Sequence, residues 1–158
     1  SLFPEVGCIV KAGLTRSRIL TYLIDSAGYI KNSGESLSID SCAERLFNGE
    51  SLIVFPEGTR SDGAKLRKFQ RGAAALALRG HCTVVPVFYT CVPAALQKKH
   101  SWFEVPDRAF ELSLEVGTAF SAQEVLPSDI PEAQARRRLT RYFENLFECR
   151  LGYGRATA

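Results

Sequence analysis

The feature that most constrains this chain is the steady alternation of short apolar strands with amphipathic helices, each separated from the next by glycine, proline or a polar turn. Val6 to Lys11 reads as a short buried strand. Thr15 can cap a helix that carries Ile19, Leu20, Leu23 and Ile24 and stops at Gly28. Tyr29 and Ile30 open another strand, which ends in the turn-like Asn32-Ser33-Gly34. Ser36 or Ser38 can cap a second helix whose apolar face is Ile39, Cys42, Ala43, Leu46 and Phe47, with Asn48-Gly49 as its stop. Ser51 to Phe55 is a compact β-branched strand, and residues 71–79 form a small-residue helix ended by Gly80. Thr83 to Thr90 carries Pro86, which makes it bulged or an edge there. Phe110 to Val116 alternates, with Phe110, Leu112, Leu114 and Val116 on one face. A last helix runs from about Glu132 to Arg150 with Leu139, Tyr142, Phe143, Leu146 and Phe147 as its stripe. This order predicts an α/β fold with a largely parallel sheet and flanking helices, and 158 residues suit a single domain over 1–158. Parallel sheets place their sites in the loops at the strand carboxyl ends, and the loop after Phe55 is such a place.

Composition narrows the function classes. Twenty basic against seventeen acidic residues leave +3, a bias too small to argue for or against a polyanionic partner, and no nucleic acid is expected. The five cysteines, at 8, 42, 82, 91 and 149, include no Cys-x-x-Cys, and with two histidines there is no zinc-site spacing. They read as small, mostly buried residues kept reduced. No metal and no bound cofactor is expected. No apolar run approaches the roughly 20 residues that span a bilayer. A nucleotide-binding phosphate loop is absent, because Gly58 and Gly63 lack the following Lys-Ser/Thr.

Residues 55–63, Phe-Pro-Glu-Gly-Thr-Arg-Ser-Asp-Gly, leave the buried strand and turn sharply. Pro56 directs the exit, and Gly58 and Gly63 permit backbone conformations that other residues resist. Arg60 offers a rigid fork of donors suited to phosphate, Thr59 and Ser61 add hydroxyls, and Glu57 can accept from an alcohol. Lys65, Arg67, Lys68 and Arg71 follow. On residues alone this is either an anion-receiving site with one acceptor for a hydroxyl or a polar turn beside a solvated basic cluster, the commoner use of such a composition.

Val54 to Ser61 resembles the Phe-Pro-Glu-Gly-Thr-Arg-Ser signature of the glycerol-phosphate and lysophosphatidate acyltransferase family. Ile9-Val10-Lys11-Ala12-Gly13-Leu14 resembles the family's upstream strand and Lys, and Ala27-Gly28-Tyr29-Ile30 the approach to its second substrate motif. Lys68-Phe69-Gln70-Arg71-Gly72-Ala73 and Val84-Val85-Pro86-Val87 resemble its later segments, so the likeness covers about residues 6–92. Two departures stand out. The family's His-x-x-x-x-Asp does not occur, since His81 is followed five places on by Pro86 and His100 by Val105. The family's Arg for the acceptor phosphate is replaced by Tyr29-Ile30-Lys31-Asn32-Ser33, where Lys31 is the available cation.

The resemblance implies an acyltransferase of phospholipid biosynthesis. A fatty acyl group would pass from acyl-coenzyme A or acyl carrier protein, a co-substrate rather than a cofactor, to the hydroxyl of a lysophosphatidate-like acceptor. Glu57, Gly58, Thr59, Arg60 and Lys31 would bind the acceptor, and Lys65, Arg67, Lys68 and Arg71 the polyanionic donor. The catalytic His and Asp are expected upstream of Ser1, so this chain alone is expected to be inactive. The family also implies work at the cytoplasmic side of a membrane, peripheral or anchored through upstream sequence. A non-catalytic lipid-phosphate or membrane-surface binding module of the same fold is the alternative. Lys31, Glu57 and Arg60 should open onto one edge of the sheet, and apolar surface should stand exposed on the Val6 to Val10 side or on the helix near Leu20. The arginines at 136, 137, 138 and 141 read as a solvated helix face, with an anionic bilayer as the lesser option.

Overall fold

The computed structural model describes residues 6–11, 13, 17–32, 39–59, 66–93 and 108–152. Its strands are β1 (Val6–Lys11), β2 (Ile30–Asn32), β3 (Ser51–Ile53), β4 (Thr83–Val84), β5 (Val87–Val92), β6 (Glu111–Val116) and β7 (Phe120–Ser121). Its helices are α1 (Arg18–Ser26), α2 (Ile39–Phe47), α3 (Gly72–Arg79), α4 (Ala122–Val125) and α5 (Glu132–Leu151). Thr15, Ser36 and Ser38 lie outside the described residues, and α1 is entered through Ser17.

β1 is the centre of a three-stranded sheet in the order β2-β1-β3, parallel to both neighbours. Ile9 stands opposite Ile30, and Cys8 opposite Ile53. α1 and α2 make the returns that parallel neighbours require. Ile9, Ile30, Leu52 and Val54 pack against Cys42 and Ala43 of α2 and Leu76 of α3. The alanines of α3 let its neighbours approach closely, and its end is tighter still: a Cβ on Gly80 would lie 2.7 Å from Leu46 Cδ1. A second cluster joins Phe69, Ala74, Ala77 and Ala122 to Leu139 and Phe143 of α5.

The α/β class with a parallel sheet and flanking helices is therefore observed, and the parallel pairing is confined to the first three strands. Further along, β4 pairs antiparallel with β7, and β5 antiparallel with β6. Pro86 is the physical reason for the division. It cannot donate to a ladder, and the single strand expected from Thr83 to Thr90 splits on either side of it into pieces with different partners.

Directly opposed residues of β5 and β6 share a face, so Val87, Tyr89 and Cys91 stand with Val116, Leu114 and Leu112. The other face meets α5, where Phe88 lies 4.8 Å from Phe147 between ring centres and Glu115 pairs with Arg150. The apolar face of β6 is thus the open one, with Leu114 66% and Val116 69% exposed.

Apolar exposure is found on α1 as expected, at Ile19, Tyr22 and Leu23, which follow one another at helical spacing. On β1 it is not. Gly7 and Cys8 point to opposite faces and both are buried, so the middle of that strand is covered on each side. Among the described residues no helix is long and apolar enough to cross a membrane.

Candidate functional site

β3 ends at Ile53, and residues 54–59 leave the carboxyl edge of the parallel sheet. Val54 still packs inward on the α2–α3 cluster, while Phe55 is exposed. After Pro56 the chain reverses. The Gly58 N–H donates to the Phe55 carbonyl at 3.0 Å, and Gly58 adopts φ +66°. Only glycine reaches that region without steric cost, and a Cβ there would also meet Gln70 Cγ at 3.3 Å.

Gln70 ties the turn to the stretch before α3, its N–H donating to the Pro56 carbonyl at 2.7 Å. That stretch is held in its turn by α5. The Phe69 N–H donates to Glu144 Oε1 at 2.9 Å, and the buried Phe69 ring meets Phe147 edge to face at 5.4 Å. Residues 56–58 and 68–71 therefore form one frame braced on the core. Glu57 is half-buried in it, with one carboxylate oxygen withdrawn from solvent, and Gly58 and Thr59 are exposed. A fixed carboxylate beside exposed turn residues can accept a hydrogen bond from a hydroxyl and hold an alcohol in one orientation.

Lys31 stands on the other side of β1. It pairs in register with Val10, and Val10 lies two residues beyond the Cys8–Ile53 pair, level with Phe55. Lys31 and the turn thus sit at one height on the same edge. The Lys31 Nζ is 2.5 Å from Asp25 Oδ1 of α1, so its charge is engaged by the helix. That pair is exposed, and such pairs contribute about 0–1 kcal/mol, so Lys31 can exchange Asp25 for another anion at small cost. Arg60 and Lys65 lie outside the described residues. Of the other cations assigned to the donor, Lys68 and Arg71 are exposed beside the turn and Arg67 is half-buried.

Gln70 and Glu144 were not legible as parts of this site. Gln70 sits within the charged run 68–71, a usable signal, whereas Glu144 is remote in sequence and carries none. His81 lies just beyond the far end of α3, roughly 12 Å along the helix axis from the turn. It is exposed, with Nδ1 3.2 Å from Gln123 Nε2, which fits a surface residue rather than a base. His100 lies outside the described residues. Burial pushes the thiols of Cys8, Cys42 and Cys82 up, which keeps them protonated and poor nucleophiles at neutral pH. No group of His, Cys, Asp and Glu among the described residues could hold a metal ion.

The site is thus a glycine-turned loop at the edge of a parallel sheet, with a half-buried carboxylate and basic residues beside it. The acyltransferase family description matches residues 4–90, more than half of the chain. The chain belongs to the acyltransferase family. It is 29% identical over 103 residues to the mouse 1-acyl-sn-glycerol-3-phosphate acyltransferase alpha, covering 64% of this chain and 35% of that protein. It is 39% identical over 70 residues to the lyso-ornithine lipid O-acyltransferase of Pseudomonas aeruginosa, covering 42% of this chain and 27% of that one. This chain therefore spans about a third or less of the length of these relatives. The crystal structure of the 1-acyl-sn-glycerophosphate acyltransferase PlsC from Thermotoga maritima shares the fold, with a TM-score of 0.67 at 19% identity over 98% of this chain and 59% of that one.

Proposed function

We propose that this acyltransferase-family chain supplies the acceptor-binding part of a phospholipid-biosynthetic acyltransferase, which moves a fatty acyl group from acyl-coenzyme A or acyl carrier protein to the hydroxyl of a lysophosphatidate-like lipid. The observation that carries the reading is the braced turn 55–59 at the carboxyl edge of the parallel sheet. In this reading Glu57 accepts a hydrogen bond from an acceptor hydroxyl. Arg60 makes a two-pronged contact with the phosphate, and Lys31, released from Asp25, adds charge across β1. Lys65, Arg67, Lys68 and Arg71 face the phosphates of the donor. The nucleophile is the acceptor's own hydroxyl. Its proton must pass to a base as the tetrahedral oxyanion forms, and a positioned base contributes roughly 100- to 10,000-fold.

Neither histidine of this chain stands in the His-x-x-x-x-Asp spacing, so the base and its orienting carboxylate come from outside these 158 residues. The chain on its own then binds acceptor without turnover, at the cytoplasmic face of a membrane that it meets peripherally. The same missing pair favours a second reading, a lipid-phosphate binding module with no transferase partner.

The test is acceptor binding and turnover measured side by side. Lysophosphatidate should bind and monoacylglycerol bind weakly, with Arg60→Ala removing the preference and Arg60→Lys restoring part of it. Acyl-coenzyme A should give no product. Turnover that survives replacement of both histidines by alanine would overturn the division of labour. Equal binding of the two lipids would overturn the acceptor assignment. The names of the relatives make lyso-ornithine lipid the informative competitor.

A further inference from the structure

Helix α5 carries a feature that the acceptor loop does not use. Gln134, Arg137, Arg138, Arg141, Tyr142 and Asn145 surround a surface depression of about 430 Å³. They recur at offsets of three and four residues, so they are neighbours on one side of the helix. The buried side carries Ala135, Leu139 and Phe143 in the core, and Tyr142 stands at its border, packed on that cluster against Phe120.

The charge arrangement on that face works against the helix. Arg137 and Arg141 are four residues apart, and Arg138 and Arg141 three apart, so Arg141 has a like charge at helical-neighbour spacing on each of two rows. Like charges at this spacing destabilise a helix. An ordinary solvated face offsets such pairs with acids at the same offsets. Here the residues three and four places from the three arginines are alanine, glutamine, arginine, threonine, tyrosine and asparagine, with one acid, Glu144. Glu144 is half-buried and accepts from the Phe69 N–H on the core side. Among the described residues none of the three arginines makes an ion pair, although Arg45, Arg79 and Arg150 each do.

A hollow edged by three cationic forks, with the amides of Gln134 and Asn145 as further donors, is complementary to an oxyanion with several acceptor oxygens. Charge, geometry and the absence of a lining acid together select phosphate over a carboxylate, which a single arginine fork already saturates.

We propose that the Arg137–Arg138–Arg141 face of α5 is a second anion site, which takes a phosphate group either from an anionic lipid headgroup or from a soluble phosphate ester. It is built from a different element than the acceptor loop, and it stands whether or not that loop binds lysophosphatidate.

The test uses the whole chain. The side-chain Nε–H signals of the three arginines are followed by NMR during titration with glycerol 3-phosphate at constant ionic strength. Sedimentation with phosphatidylcholine vesicles, with and without phosphatidate, is measured in parallel. Saturable shifts of all three signals are expected, and Arg141→Gln should weaken the association about tenfold, since a charge-assisted contact of this kind is worth about 1.5 kcal/mol or more. Saturation by the soluble ester with no vesicle preference identifies a soluble source. Phosphatidate-dependent sedimentation lost in the Arg137→Gln/Arg138→Gln/Arg141→Gln protein identifies a lipid source. The proposal falls if shifts are linear in ligand concentration and vesicles are ignored. It falls equally if the triple variant, folded by circular dichroism, binds as the parent does while Arg60→Ala does not, because the anion then belongs to the acceptor loop.

Discussion

Replacing Gly58 by alanine tests whether the turn that presents Glu57 and Thr59 is a built conformation or a passive link. Two costs can be separated. The first is backbone strain, because at φ +66° a Cβ crowds the adjacent carbonyl and costs about 1–2 kcal/mol. The second is the contact with Gln70 Cγ at 3.3 Å, where a flexible side chain can give way by a few tenths of an ångström. Strain should therefore dominate. For a chain of this size each kcal/mol moves the melting temperature by about 2–4 °C, so Gly58→Ala should lower it by roughly 2–8 °C.

Gly49 is the internal control, with φ +85° and nothing within 4 Å of its would-be Cβ. Gly49→Ala reports strain alone, and any excess in Gly58→Ala reports the Gln70 contact, recoverable by adding Gln70→Ala. Asparagine tolerates the left-handed region better than alanine, so in thermal melts Gly58→Asn should fall between the parent and Gly58→Ala. An alanine variant that melts with the parent, or an asparagine variant below the alanine one, would refute the account of this turn.

Other outcomes follow from the packing. Leu139→Ala removes a fully buried side chain from the α5 core and should destabilise by about 2–5 kcal/mol in denaturant melts. Leu114→Lys lies on the open face of the β5–β6 ladder and should change stability by no more than about 0.5 kcal/mol while lowering the binding of an apolar dye. The exposed Cys149 should react with a thiol reagent in the native protein, and Cys8 and Cys42 only once denaturant is added. Burial raises these two thiols above their ordinary 9.0, so the folded chain retains protons that the unfolded chain gives up. Stability should therefore fall as pH rises through and above that value, and less steeply in a Cys8→Ala/Cys42→Ala protein.

What could be read in advance was what neighbouring residues settle among themselves. The turn after β3 needs a proline exit and a left-handed glycine within a few residues, and both are adjacent in Pro56-Glu57-Gly58. Helices α2 and α5 announced themselves through one apolar face each, and the structure packs most of each face on the core while leaving Phe47 exposed; α3 announced itself through its small residues. Lys31 could be placed on the site's edge because parallel register follows from the strand order. Its engagement with Asp25 could not, because the end of α1 had first to be packed beside β2. Glu144 supports the segment before α3 from 75 residues away, a separation at which no local pattern operates.

Strand β6 shows the limit most sharply. Strict alternation establishes that a strand has two unlike faces, and Leu112, Leu114 and Val116 do share one. Which face meets the helix layer is decided by the partner strand and by the helix. Phe88 is buried against Phe147, so the face of β5 that carries Phe88 is committed to α5. Glu115 is paired with Phe88 in the ladder and must follow it, and Arg150 meets its carboxylate there. Shifting β6 by one residue would bring its leucines inward, but it would also turn Glu115 away from Arg150 and misalign every cross-strand pair from Val87 to Val92. The aromatic contact and the ion pair act on the same choice of face, and the apolar side of β6 is left open as their consequence.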